Sequence, residues 1–514
     1  MKIPSSPRIT TTIEWCFLFL GVVFCLFQLA LSWHTPILDE YAFRQTQTAI
    51  SVYWIMKGGA WLAYSTPVLG APWSIPFEFP LYQWIVAIVA EHLHFLTLDQ
   101  AGRVVSEAFF MMCLWPLWRI TTYCENGGSL FRICGSLLLF SPIYVFWSRS
   151  FMMESTTLFF SIWFVASLSD YIRRPNVYCF IEMSLTGSIA ACLKITTFVG
   201  FSFAGALIVL WVMYSERKNI HKLKHILSYA SVVLAVVISI AALAIWVHYI
   251  DLVKSENAFG QMFTAAALKT WNFGTQQQRE SRALWHVIFG RAPNEAIGAW
   301  QLLVIITSLT LFQLTRRQIL IFVALLLLYI APFLVFTNLH LIHHYYQYAN
   351  SIFLVFSIAY FIASLIQKHP SLGLVALACV VALEVYGYTK YFYDDMMQPN
   401  RQSALLLSSY IRSNVNPGQM IVGFGLKWSS EVPYYAERRA LLVPDNTTSS
   451  ILAQLNSDLP RYTDGISIGA VVVCPNKLSY ASSTQLAYEE LLGTLTENKK
   501  PRIVGFCKVY IDSP

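Results

Sequence analysis

Long apolar runs separated by short polar joints dominate the first three quarters of the chain. Runs at about 13–33, 101–120, 131–148, 155–171, 178–194, 197–214, 226–249, 298–314, 318–336, 345–366 and 371–389 each supply roughly 17–24 mostly apolar residues, enough to cross a bilayer as a helix. The pattern predicts about eleven transmembrane helices. The interval from 34 to about 100 reads differently. It holds the half-apolar YAFRQTQTAISVYWI, a Gly58–Gly59 break and a loop rich in Pro and Trp. A further apolar piece at about 79–96 is short and carries Glu91, His92 and His94, which predicts a helix lying in the interface or re-entering it. After Tyr391 the pattern changes again. Turn signals (NPGQ, PDN, TDG, PNK) surround an amphipathic stretch at about 400–413 and the strand-like runs MIVGF, GAVVVC and IVGF, which predict a small α/β domain. The expected division is a transmembrane part over 1–390, with a first external loop at 34–100, and an exported domain over 391–514.

Composition supports the membrane reading. Of 514 residues, 56% are hydrophobic and only 12% charged, with a mean hydropathy of +0.53, against roughly 25% charged in soluble domains. The net charge of +7 does not point to nucleic acid, because the basic residues gather in short joints. Arg173–Arg174, the run ERKNIHKLKH, Arg316–Arg317 and Lys368 then lie in cytoplasmic loops, with Lys2 and Arg8 holding the N-terminus inside. The first loop, the turn at 149–154, the segment 250–297 and TNLHLIHH fall on the opposite face. With eleven spans the C-terminus is outside. If 79–96 crossed, every later basic joint would change sides, so it is expected not to. The first run is too long for a cleavable signal and serves as an anchor. The ten cysteines show no CxxC or metal spacing. Most lie in apolar runs, whereas Cys474 and Cys507 both fall at strand ends, where an oxidising compartment permits a disulfide.

Charge at membrane depth costs about 2.5–3.5 kcal/mol per residue, so its placement needs a reason. Here it gathers on one face. The stretch WHTPILDEYAFR presents Asp39, Glu40 and Arg44 just beyond the first span, and Glu78 follows later in the same loop. Arg103 opens the second span from that side, and Arg149 and Glu154 bracket the turn SRSFMMEST. Lys194 ends a span, and His340, His343, His344, Tyr345 and Tyr346 begin another. Carboxylates with basic and hydroxyl groups on one side of a helical bundle suit an anionic, lipid-borne substrate. An alternative is a set of interfacial anchors and buried ion pairs, such as Arg149 with Glu154.

The Asp39–Glu40 pair after the first span, the motif FEFPLYQW, GRVVS at 102–106 and the acidic residue Glu154 resemble the GT-C membrane glycosyltransferases, in the protein O-mannosyltransferase-like and aminoarabinose-transferase-like branch. The resemblance covers roughly residues 13–350. VPYYAERRALL in the C-terminal segment is similar, more weakly, to the small exported domains of such enzymes. The resemblance implies a mainly α, polytopic fold that uses polyprenyl-phosphate-linked sugars at the external face of the cytoplasmic membrane. By position it implies that Asp39 activates the acceptor, that Glu40 completes its pair and that Glu154 is a second acidic residue of the site. Lys194 and the His343–Tyr346 segment fall where relatives place groups near the lipid phosphate. One departure stands out. Aminoarabinose transferases carry a Lys before the Pro of a motif that here reads Glu78-Phe79-Pro80, so another cation must serve.

The residue types fit that chemistry independently. A sugar on polyprenyl phosphate already has an anionic leaving group, which needs positive charge and hydrogen bonds more than an acid. One carboxylate can deprotonate the acceptor hydroxyl as it attacks, giving inversion in a single displacement, without the paired carboxyls of a glycosidase. Asp39 is the expected base, with Glu40 and Glu154 as further catalytic candidates. Arg44, Arg103, Lys194, His343, His344, Tyr345 and Tyr346 are candidates for the donor phosphate, and Glu78 and Arg149 for orienting the acceptor. The expected acceptor is an envelope glycan, lipid or protein. Asp39, Glu40 and Glu154 also offer oxygen ligands of the kind that hold Mg or Mn; no other cofactor is expected. Two other readings remain at this point: a lipid-linked sugar transporter or flippase without turnover, and an envelope scaffold whose exported domain binds another protein. The absence of an internal repeat and the one-sided polar residues favour an enzyme.

Overall fold

The computed structural model describes residues 7–215, 223–300, 315–397, 402–475, 482–497 and 499–511. Residues 301–314 of the span expected at 298–314, and most of the basic run at 216–225, lie outside the described residues. Among the described residues six helices are long and apolar enough to cross a membrane, or seven if one bent pair counts as a single span. The chain is therefore a multi-pass membrane protein. It separates into two compact units. One comprises Met1–His34, Arg103–Trp246 and Lys269–Met397; the other comprises Thr35–Gly102, Val247–Leu268 and Gln398–Pro514.

In the first unit the apolar run after Pro7 forms the helix Pro7–Leu31, roughly 37 Å long at 1.5 Å per residue. Two expected spans are interrupted, each at a proline. The span read at 101–120 is two helices, Leu98–Met112 and Leu114–Thr121, because Pro116 has no N–H to offer the carbonyl of Met112. The span read at 131–148 is Gly127–Phe140 followed by Pro142–Ser148, bent by 66°. Ser141 precedes a proline and takes the extended conformation that proline imposes (φ −59°, ψ 124°), and its hydroxyl turns to the Ala296 carbonyl at 2.6 Å. The spans read at 178–194 and 197–214 form one helical segment, Val177–Ser215, broken at Lys194 (φ −163°, ψ 96°). The span at 226–249 runs from Leu223 to Ser255. The segment expected as a loop at 250–297 carries short helices, among them Ala292–Ile297.

Buried aromatics fill the centre of this unit. Tyr144 stacks on Phe110 at 5.9 Å, lies 4.6 Å from the ring of Tyr348, and donates to the Tyr348 carbonyl at 2.7 Å. A phenol buried this deeply needs such an acceptor. Two groups of charged side chains are likewise paired. Glu14 meets Arg132 at 2.6 Å, and Arg119 joins Asp170 and Glu182.

The second unit is built on a five-stranded sheet. Its strands are β1 (Met420–Phe424), β2 (Ala440–Val443), β3 (Ile468–Val473), β4 (Pro501–Val504) and β5 (Cys507–Ile511), in the order β2-β1-β3-β5-β4. The first three are parallel, while β5 runs antiparallel to both β3 and β4. The continuous apolar sequence MIVGF suits β1, which is buried along its whole length. Gly425 ends it with φ +71°, where an added Cβ would lie 2.3 Å from the Cys474 carbonyl oxygen. Cys474 and Cys507 form a disulfide. The first loop covers the free edge of β2: the Ala440 and Leu442 amides donate to Pro67 and Val68, and the Gly70 amide to Ala440. An edge covered in this way no longer offers a template for outside strands. The loop also forms the helices Ala42–Met56 and Leu81–His92. The second has 12 residues, roughly 18 Å and too short to cross a bilayer.

Candidate active site

Glu154 opens the helix Glu154–Arg173 and is 3% exposed. A carboxylate in the first turn gains from the helix dipole. Lys194 lies at the break in Val177–Ser215, 7% exposed, and its Nζ is 2.5 Å from Glu154 Oε1. The break matters chemically, because a charged side chain leaves the helix where the helix itself is interrupted. The ammonium also faces aromatic rings, 4.8 Å from the centroid of Tyr345 and 4.2 Å from that of Tyr346, which are themselves stacked at 4.7 Å. Carboxylate and π faces together hold a positive charge that burial alone would expel. Beside Glu154, the Ser155 hydroxyl meets the Tyr348 hydroxyl at 2.9 Å.

The segment carrying Tyr345 and Tyr346 is a short 3-10 turn, His344–Tyr346, preceded by the helix Thr337–Ile342. His343 stacks on Tyr345 at 5.2 Å, and His344 Nδ1 lies 2.9 Å from Glu295 Oε1. Glu295 also faces Arg291, with Nε at 3.8 Å, while Arg291 donates to the His340 carbonyl at 2.7 Å. Burial first, and then the positive charges of Arg291 and Lys194, push the His340 imidazole down to about 3. It is therefore neutral at ordinary pH. Arg149 caps Pro142–Ser148, is fully buried and lies over the Phe146 ring at 4.3 Å. Glu154 pairs with Lys194, so the Arg149–Glu154 pair weighed from sequence is not needed to account for that carboxylate. Arg103 is buried and donates to the Ser32 carbonyl, which ties together the ends of two helices.

The remaining sequence candidates belong to the second unit. Asp39 is 5% exposed and accepts from the Gln45 side-chain amide, which also donates to the Glu40 carbonyl at 3.1 Å. Tyr41, in the left-handed region at φ 52°, turns the chain between the acidic pair and the helix Ala42–Met56. Arg44 pairs with Glu78 and Gln47, so an expected phosphate ligand and an expected orienting carboxylate neutralise one another. Tyr64 positions Glu78 by donating to its carbonyl at 3.1 Å and accepting from the Phe77 amide at 2.8 Å. Among the described residues no three His, Cys, Asp or Glu groups converge as a metal cluster.

Three features were missed from the sequence. Arg291 and Glu295 stand four apart, the spacing of an ion pair on one helix face, but the segment was read as a loop. Lys254 closes a long apolar helix, donates to the Phe263 carbonyl at 2.9 Å and lies 5.6 Å from the Phe77 ring; a lysine ending such a run was the available signal. Asp99 receives the hydroxyls of Tyr434 at 2.5 Å and Tyr435 at 2.8 Å, and Tyr435 accepts from the Ile37 amide at 2.8 Å. Burial, reinforced by Asp99, holds the Tyr434 phenol well above its usual range. No local sequence signal joins positions so far apart.

No family model matches the chain, and no curated protein matches it by sequence. Solved structures do. The crystal structure of ArnT from Cupriavidus metallidurans bound to undecaprenyl phosphate aligns over 96% of this chain and 98% of that one, with a TM-score of 0.61 at 10% identity. The apo state of the same protein aligns over 96% and 97%, with a TM-score of 0.60 at 12% identity. An alignment of nearly the whole of both chains at such low identity reports shared architecture, not shared residues. The chain has the GT-C fold of the polytopic membrane glycosyltransferases.

Proposed function

We propose that this protein is a glycosyltransferase that moves one sugar from a polyprenyl-phosphate donor to an acceptor hydroxyl of the cell envelope. The observation that carries the reading is the Lys194–Glu154 pair, buried at a helix break and walled by Tyr345 and Tyr346. The fold likeness to ArnT, whose crystal structure holds undecaprenyl phosphate, supports a lipid-linked donor. On the distribution of basic joints the N-terminus is cytoplasmic, and the Glu154 end of its helix then faces the exterior.

In the proposed reaction the acceptor oxygen attacks the anomeric carbon as the bond from that carbon to the donor phosphate oxygen breaks. The electron pair of the broken bond stays on the phosphate, which gains a second negative charge. Lys194 stabilises that charge, relinquishing part of its bond to Glu154, and the Tyr345 and Tyr346 hydroxyls add hydrogen-bond donors. Removing one such stabilising donor costs on the order of 10²–10³ in turnover. The acceptor proton passes to a carboxylate base, for which the sequence pattern offers Asp39, whose carboxylate accepts from the Gln45 side-chain amide. A single displacement inverts the configuration. Lys194 supplies the positive charge in this proposal, and the Arg44 guanidinium is engaged by Glu78.

The test is transfer of labelled sugar from membrane lipid extracts by purified wild type, Asp39→Asn and Glu154→Gln, with thin-layer readout. Loss of about 10²–10⁴ in Asp39→Asn with donor binding intact, the range for a lost general base, supports the assignment. Transfer by Asp39→Asn at the wild-type rate removes Asp39 as the base. Donor binding without transfer in the wild type, with acceptor present, favours a transporter.

A further inference from the structure

The helix Glu154–Arg173 has 20 residues, which places its two ends about 28 Å apart, close to the hydrocarbon thickness of a bilayer. The end opposite Glu154 opens onto a groove of about 1240 Å³ between helices of the first unit. Its wall is apolar, with Leu117, Val165, Phe201, Leu325 and Phe353 among the lining side chains. Three arginines stand on its lining: Arg173 and Arg174 at the end of one helix, and Arg317 in the first turn of Arg316–Val335. All three are exposed.

The acidic groups nearby leave this charge largely uncompensated. Asp170 also lines the groove, but its carboxylate is taken by Arg119 and by the Tyr123 hydroxyl. Glu125 meets Arg317 at 2.9 Å with the two side chains 66% and 60% exposed, and a solvated pair of this kind holds little energy and exchanges readily. Arg173 rests on the Tyr123 ring at 4.1 Å and donates to the Tyr123 carbonyl at 3.3 Å, which fixes its direction without neutralising it. An apolar slot with an arginine mouth at one membrane face matches an anionic diacyl lipid: acyl chains against the wall, phosphate against the guanidinium groups. Basic pockets between transmembrane helices hold lipid head groups in this way, and arginine suits phosphate by its planar fork of donors.

We propose that this groove is a binding site for an anionic phospholipid, at the membrane face opposite the Glu154–Lys194 pair and independent of the transfer reaction. The volume is above the roughly 300–1,000 Å³ of ordinary small-molecule pockets, as a site for acyl chains requires. The site combines a phosphate-binding mouth with an apolar interior, so both parts contribute to affinity and either can be removed separately.

The experiment is native mass spectrometry of the purified full chain titrated with phosphatidylglycerol or phosphatidylethanolamine. Wild type is compared with Arg173→Gln/Arg174→Gln/Arg317→Gln, with the groove-filling Ala324→Trp, and with Arg316→Gln/Lys368→Gln as a charge control outside the groove lining. The expected result is preference for phosphatidylglycerol, weakened about fivefold for each groove arginine removed and about a hundredfold for the triple variant. Ala324→Trp should weaken it with every arginine in place, and the control should match wild type. Equal retention by wild type and the triple variant overturns the proposal. So does loss of binding in the charge control as large as in the triple variant, which reports general surface attraction. Undiminished binding by Ala324→Trp overturns the acyl-chain site as well.

Discussion

Lys194 and His340 show how burial acts on two basic side chains. Lys194 is compensated by Glu154 and two aromatic faces, whereas burial first, and then the positive charges of Arg291 and Lys194, hold His340 neutral. The imidazole's pKa falls from 6.5 in the unfolded chain to about 3 in the folded one. Between these values the unfolded chain binds the extra proton, so His340 contributes stability that is fully present above pH 6.5 and declines as pH falls toward 3. The slope is about 1.4 kcal/mol per pH unit in that window. Melting of wild type and His340→Gln between pH 7 and 4.5 checks it: the wild type should lose more stability on acidification, and parallel curves would remove the effect.

At the scale of elements, the aromatic dipeptide Tyr434–Tyr435 does what no single motif could announce. It fastens Asp99, at the end of the first loop, and through Tyr435 the Ile37 amide at its beginning, two residues before Asp39. Tyr435→Phe leaves a half-buried carboxylate oxygen and the amide of the buried Ile37 without that hydroxyl, at a cost of about 1–3 kcal/mol. The expected outcome is a lower melting temperature with a reduced turnover and little change in donor affinity, and an unchanged melting temperature and turnover would contradict it.

The same scale explains what was legible beforehand. The strand MIVGF was readable because parallel strands buried on both faces are continuous apolar runs, and it occupies the residues expected, Met420–Phe424. The short helix Leu81–His92 was readable because Glu91 and His92 end its apolar face. Hydropathy windows were blind to the interruptions at Cys113 and Ser141, since a bend changes direction without changing polarity. Proline explains both after the fact. The break at Lys194, which builds the site, falls where the sequence ends one apolar run and begins the next. Hydropathy therefore found the carriers of the site residues, while pairings such as Arg44–Glu78 and His344–Glu295 depended on tertiary packing.

At the scale of the whole molecule, the distribution of basic joints and the Cys474–Cys507 bond make a joint statement about sidedness. A bond between these cysteines persists in an oxidising compartment and not in a reducing cytosol, so an exported C-terminal segment should carry it in cells. Alkylation of intact cells before reduction, followed by peptide mass spectrometry, should leave both cysteines unlabelled. Labelled thiols at Cys474 and Cys507 would place this segment on the cytoplasmic side. In a segment closed over 33 residues, the bond contributes about 3–4 kcal/mol by constraining the unfolded chain.

The central claim is that Lys194 carries the charge of a departing polyprenyl phosphate. Its most direct test is single-turnover sugar transfer from a purified polyprenyl-phosphate sugar by wild type, Lys194→Gln and Lys194→Arg, with donor affinity measured alongside. The account predicts a loss of about 10²–10³ in the transfer step for Lys194→Gln, with partial recovery in Lys194→Arg, which restores the charge but not the geometry. Transfer by Lys194→Gln at the wild-type rate, with the protein folded and donor bound, would contradict it.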